Sequence, residues 1–402
     1  MIDFTARRAR HIVRPDAVLR GEEAGIGPTV LLLHAGGERR GVWAPVAEVL
    51  VDAGFRCVAF DQRGHGDSGG SAHALAPCAA DVAAMVCAEP AGCVVVGASL
   101  GGFAAIAALE SPAVRARMAG LVLVDVVPAF ELDPVRRFLA AHGLDDAEIV
   151  EDIFAELPRL QRITADLDLP VLLVRGGSES PVTDDQVDGL VRLAPHATVA
   201  RVWGAGHLVA RDRPVELAET IAAHTVTWPA LALLRDLGAG RLDHPGGNLL
   251  DHLHRVHDLV RNLGGSRNVC LAALCHATYG TDGFPHALLP LDERNRLRTA
   301  IGDEAEALVY RYAACDRTET YACLGTTPLP LTDRFTGDTI DLTTNELTDF
   351  ALLTIANELD VARHATLTPE ARRGIRALVQ ALSTYVPAAA AQALTTEPSN
   401  ER

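Results

Sequence analysis

The sequence predicts an α/β fold with a doubly wound, mostly parallel sheet, followed by an all-α domain. Three observations carry this. Near-continuous apolar runs at 29–33, 55–60, 94–97, 121–127 and 170–174 alternate with helix-like segments, as strands buried on both faces do. One of these runs, Val94-Val95-Val96, leads straight into Gly97-Ala98-Ser99-Leu100-Gly101 and then a helical pattern from Phe103. After Trp228 the alternation stops and a 3.6-residue apolar period takes over.

Composition sets the outer bounds. The 402 residues, 49% hydrophobic with mean hydropathy +0.15, are enough for two well-cored domains, placed at 1–226 and 227–402. A formal charge of −16 and a pI near 5.4 argue against nucleic acid as a partner. Every permanently charged basic side chain is arginine, so a lysine Schiff base or lysine general base is excluded. Eight scattered cysteines without a Cys-x-x-Cys pair indicate neither a disulfide framework nor a zinc ribbon. The start of the chain lacks the apolar core of a secretory signal, and no apolar run reaches the length of a membrane span. A cytoplasmic protein without a membrane partner is expected.

In the first half, the strand at 29–33 ends in His34-Ala35-Gly36-Gly37, a loop that can aim backbone N–H groups into a cleft. The next strand ends in Asp61-Gln62-Arg63-Gly64-His65-Gly66-Asp67-Ser68. A helix is expected over 77–88. The flanking glycines at 97 and 101 permit a tight strand-to-helix turn that lifts Ser99 out of the sheet. Residues 129–168 interrupt the alternation with amphipathic pattern and read as a short lid. The last strand, 197–203, delivers Gly204-Ala205-Gly206-His207, and a helix closes the domain over 214–224.

Residues 30–224 resemble the α/β-hydrolase fold, most of all its small esterases, carbon–carbon bond hydrolases and cofactor-free haloperoxidases. The resemblance rests on the His34 loop with Trp43 downstream, the Asp61–Ser68 loop, the Ser99 turn, Leu121-Val122-Leu123-Val124-Asp125 and Gly204-Ala205-Gly206-His207, in that order. It implies Ser99 as nucleophile, His207 as base, and oxyanion donors at the backbone N–H of Gly36 and Leu100, with His65 structural and no cofactor required. Relatives carry an aspartate shortly after an Arg-Gly-Gly. An ungapped match to Arg175-Gly176-Gly177-Ser178-Glu179-Ser180 puts Ser180 there, with Glu179 just before it. Glu179 is the favoured acid and Asp125 the alternative; Asp184 and Asp185 read as a charge pair at a helix N-terminus.

The second half is rich in histidine: His244, His252, His254, His257, His276 and His286. Helices are expected over 249–263, 268–279, 292–301, 304–314, 345–363 and 369–385. The segments around His252 and His276 are similar to the opening of HD-type metal phosphohydrolases. That similarity implies a divalent metal held by His252, His276 and Asp316, although Ala277 stands where the family's doublet aspartate belongs. The segment is also similar to bacterial helical domains with a His-x-x-Tyr-Gly-Thr pattern.

The expected activity is hydrolysis of an ester or thioester of a small or medium acyl compound. The alternatives are a non-hydrolytic elimination or cyclisation in the same cleft, and a hydrolase whose helical domain serves as a nonenzymatic docking module. Partners are then a small-molecule substrate and, through the helical domain, a second copy or another protein.

Overall fold

A computed structural model describes residues 7–129, 132–141, 148–177, 180–326 and 328–396. The chain divides into two compact units, Met1–Pro229 and Ala230–Arg402.

The first unit is built on an eight-stranded sheet of order β1-β2-β4-β3-β5-β6-β7-β8. Its strands are β1 (Arg8–Val13), β2 (Val18–Ala24), β3 (Thr29–Leu33), β4 (Arg56–Phe60), β5 (Cys93–Ala98), β6 (Met118–Val124), β7 (Val171–Arg175) and β8 (Thr198–Arg201). Only the β1–β2 and β2–β4 pairings of this sheet are antiparallel. The central strands β3, β5 and β6 are buried along their whole length, which explains why their sequences are continuous apolar runs rather than alternating ones. Each fully buried Val, Leu or Ile contributes about 1.5–3 kcal/mol, so this centre is the rigid part of the unit. The edge strand β1 is largely exposed and carries Arg8 and Arg10, charges that discourage further strand pairing.

Helices cover both faces: α1 (Ala44–Asp52), α2 (Leu75–Cys87), α3 (Leu100–Ala108), α4 (Pro112–Arg115), α5 (Leu132–Ala141), α6 (Glu148–Ala165), α7 (Asp184–Leu193), α8 (Val209–Asp212) and α9 (Pro214–Thr225). Within the expected lid lie α5 and the longer α6. Asp184 and Asp185 open α7 after a capping box between Thr183 and Gln186, and Asp184 pairs with Arg175 and Arg201.

The stretch Pro214–Asp236 is long and apolar enough, by length and composition, to cross a membrane, which the sequence alone did not suggest. It consists of α9 and α10 (Trp228–Asp236), and its side chains Leu217, Ile221, Ala230 and Leu234 are buried in the protein.

The second unit corrects the all-α expectation. It holds α11 (Leu249–Asn262), α12 (Arg267–Cys275), α13 (Arg294–Ile301), α14 (Asp303–Ala314), α15 (Arg317–Ala322), α16 (Thr344–His364), α17 (Pro369–Leu382) and α18 (Ala388–Thr396). It also holds two antiparallel pairs, β9 (Asp243–His244) with β10 (Gly247–Asn248), and β11 (Leu329–Thr332) with β12 (Thr339–Leu342). The second hairpin turns through Asp333, whose carboxylate accepts from the N–H of Phe335 and Thr336. Strands of two to four residues leave too few alternations to register against a helical background. Helix α12 stops at Cys275, short of the expected 279, because the chain turns through Thr278-Tyr279-Gly280, where Gly280 takes φ 69°.

Candidate active site

The tight end of β5 follows from its glycines. A Cβ on Gly97 would lie 2.6 Å from the Gly101 carbonyl, and one on Gly101 would lie 2.6 Å from the Leu33 oxygen. Only bare backbone lets α3 pack this close to β3 and β5. Ser99, between them, is held at φ 49° and ψ −114°, a conformation rare for a residue with a side chain.

Ser99 lines a cavity of about 1130 Å³ together with Gly36, Leu100, Asp125 and His207. His207 Nδ1 donates to Asp125 Oδ2 at 2.9 Å, the carboxylate oxygen being the acceptor. The Asp125 side chain is wholly buried and that of His207 is 18% exposed. Asp125 ends β6 at φ 51°, the other side-chain-bearing residue besides Ser99 with positive φ among the described residues. Its Oδ1 accepts from the Gly176 N–H at 2.8 Å and from the Ser180 hydroxyl at 2.6 Å. Glu179, the favoured acid from sequence, lies outside the described residues; the carboxylate at His207 Nδ1 is Asp125, the alternative. Sequence reasoning missed the part played by Ser180, although a serine standing in an expected aspartate position was itself the signal.

The loop bearing Gly36 is tied down by two histidines. His34 donates from Nδ1 to the Ala35 carbonyl at 2.8 Å and accepts at Nε2 from the Gln62 N–H at 2.9 Å. Burial pushes its pKa from the usual 6.5 down to about 4, so it stays neutral and can accept. His65 accepts from the Gly37 N–H at 3.1 Å through Nε2 and donates to the Arg63 carbonyl, a structural part. The buried Asp61 carboxylate accepts from the backbone N–H of Arg40 and Asp67, which joins the 34–40 and 61–68 loops.

The lining beneath the lid is apolar: Leu100, Phe103, Val126, Ile153, Phe154 and Val182 face the cavity. Arg211 and Glu38, which pair at 2.9 Å, also line the cavity.

In the second unit His252 and His276 are brought together, Nε2 to Nε2 at 3.3 Å. Asp360 Oδ2 accepts from His252 Nδ1 at 2.7 Å, and the Ala273 carbonyl accepts from His276 Nδ1 at 2.8 Å. The Asp360 carboxyl is pushed up by burial, but hydrogen bonds from His252 and Arg255 outweigh this and hold it well below the usual carboxylate range. Asp316 does not join the pair; its carboxylate caps α15, accepting from the Glu319 N–H at 3.0 Å. Among the described residues no group of three His, Cys, Asp or Glu side chains could hold a metal ion. The set His252, His276 and Asp316 therefore does not fit the expected metal centre.

Comparison with known proteins agrees with the first unit's architecture. The family described as "Alpha/beta hydrolase family" matches residues 30–220, and a "Domain of unknown function" family (DUF6817) matches residues 233–317. The chain is 30% identical over 257 residues to an esterase of Mycobacterium tuberculosis, covering 49% of this chain and 82% of that protein. It is 28% identical over 254 residues to a pimeloyl-(acyl-carrier protein) methyl ester esterase of Xanthomonas campestris, covering 51% of this chain and 98% of the esterase. A protein of Variovorax paradoxus named a carbamate hydrolase is 36% identical over 126 residues, 30% of this chain; the chain spans 46% of that protein's length. Among solved structures, E-2-(acetamidomethylene)succinate hydrolase is 23% identical with a TM-score of 0.47, covering 54% of this chain and 98% of that one.

Proposed function

The chain belongs to the alpha/beta hydrolase family, and from that premise we propose a serine hydrolase that cleaves an ester or thioester of a small or medium acyl compound. In this reading the Ser99 oxygen attacks the acyl carbonyl while His207 Nε2 takes the hydroxyl proton. Asp125 holds the imidazole in the required tautomer and balances the charge it gains. The backbone N–H groups of Gly36 and Leu100 bind the oxyanion, each worth about 3 kcal/mol to the transition state. His207 then returns its proton to the leaving group, and water repeats the sequence on the acyl-enzyme.

The observation that carries the reading is the 2.9 Å bond from His207 Nδ1 to a buried carboxylate, beside Ser99 in one cavity. The Asp125 carboxylate at His207 Nδ1 favours the hydrolytic reading over an elimination or cyclisation in the same cleft. The apolar lining supports an aliphatic acyl group in the lid-side part of the cavity.

A series of p-nitrophenyl esters from acetate to decanoate tests this. The expected result is kcat/KM rising from acetate toward medium chains, by about tenfold for each ~1.4 kcal/mol of added apolar burial. A flat or falling series would contradict an apolar acyl site. Loss of turnover in Ser99→Ala ties the activity to the proposed nucleophile.

A further inference from the structure

We propose that Ser180 is a positioning residue for the acid of the reaction, an inference that rests on the serine-hydrolase reading above: its hydroxyl fixes which oxygen of Asp125 faces His207. Three donors converge on this carboxylate. Gly176 N–H and Ser180 O–H meet Oδ1 at 2.8 and 2.6 Å, and His207 takes Oδ2 at 2.9 Å. The serine's single hydrogen is aimed by a further contact. Ser180 Oγ accepts from the Val182 N–H at 3.0 Å, which occupies one lone-pair direction and turns its O–H toward Asp125. The 2.6 Å separation lies in the range of O–H···O⁻ bonds to an ionised carboxylate.

Backbone geometry adds the need for such a device. Asp125 sits at φ 51°, a conformation a side-chain-bearing residue keeps only when its surroundings over-determine it. The neighbouring donor is immovable: a Cβ on Gly176 would lie 2.3 Å from the Gly206 carbonyl, so the turn after β7 presses against the turn that carries His207. Ser180, four residues on, is the side-chain donor to Oδ1. Its hydroxyl reaches the Asp125 carboxylate that His207 uses.

The test uses the full chain and p-nitrophenyl butyrate. Ser180→Ala is expected to lower kcat by about 10- to 100-fold, the usual loss for a hydrogen bond to a charged group, with KM unchanged. Ser180→Thr, which keeps the hydroxyl, restores kcat to within a few-fold of the starting protein. Ser180→Ala retaining kcat within about twofold, or Ser180→Thr being as impaired as Ser180→Ala while equally folded by circular dichroism, would overturn the inference. An unmutated protein that neither turns over the ester nor acylates at Ser99 would overturn the hydrolase reading beneath it.

Discussion

At the scale of single residues, the cleft depends on groups whose protonation is set by what buries and bonds them. His34 is the clearest case. It stays neutral because burial, its largest influence, outweighs the bond to Ala35 and brings the pKa from 6.5 to about 4. The unfolded chain binds this proton below about pH 6.5 whereas the folded chain does not, so acid favours unfolding. The His34 contribution is intact above pH 6.5 and falls away between pH 6.5 and 4, by about 3 kcal/mol in total. Urea midpoints of the first unit's transition are expected to drop across this window, and His34→Asn to flatten part of the slope. Identical slopes in the two proteins would contradict the assignment. The proposed acid shows what a residue-level reading of sequence can and cannot supply. Ser99 and His207 stood out as candidates because each follows a strand and sits among glycines with a spacing that few other structures need. Asp125 was legible only as a strand-end carboxylate, because its role depends on a contact across 82 residues and on a positive φ that an aspartate does not advertise.

At the scale of elements, the central strands were readable because burial on both faces leaves no polar positions to confuse the pattern. The short hairpins of the second unit were not, since β9 and β10 are two residues each and β11 begins beside Pro328 and contains Pro330. The histidine-rich segment was legible as helix but misread as a metal set. Helix α16 supplies the missing partner, Asp360, more than a hundred residues from His252. Asp360 also accepts from Arg255 at 2.7 Å, so one buried carboxylate joins α11 to α16. Exposed ion pairs such as Arg296–Glu293 contribute about 1 kcal/mol or less, whereas stripping one partner from a buried pair costs about 3–5 kcal/mol. Asp360→Ala is accordingly expected to destabilise the second unit by roughly that larger amount, read as a lowered thermal midpoint, with Glu293→Ala as the near-neutral control. Equal small effects from the two substitutions would show that the α11–α16 link carries little.

At the scale of the whole molecule, two units with separate cores share one chain, and every residue that lines the proposed active-site cavity lies between Ala35 and Asp212. The sheet supplies rigidity, the glycines at the end of β5 supply the turn, and the loops after β3, β6, β7 and β8 bring the chemistry to one side. The central claim is that this arrangement makes Ser99 a nucleophile. Its most direct test is labelling with an alkyl fluorophosphonate, located by mass spectrometry of the intact chain and its peptides. One adduct on Ser99 is expected, absent in Ser99→Ala and slowed by about 10³–10⁴-fold in Asp125→Asn, where the imidazole loses its tautomer lock. Folded protein that stays unlabelled at Ser99, or labels equally fast without the Asp125 carboxylate, would contradict it.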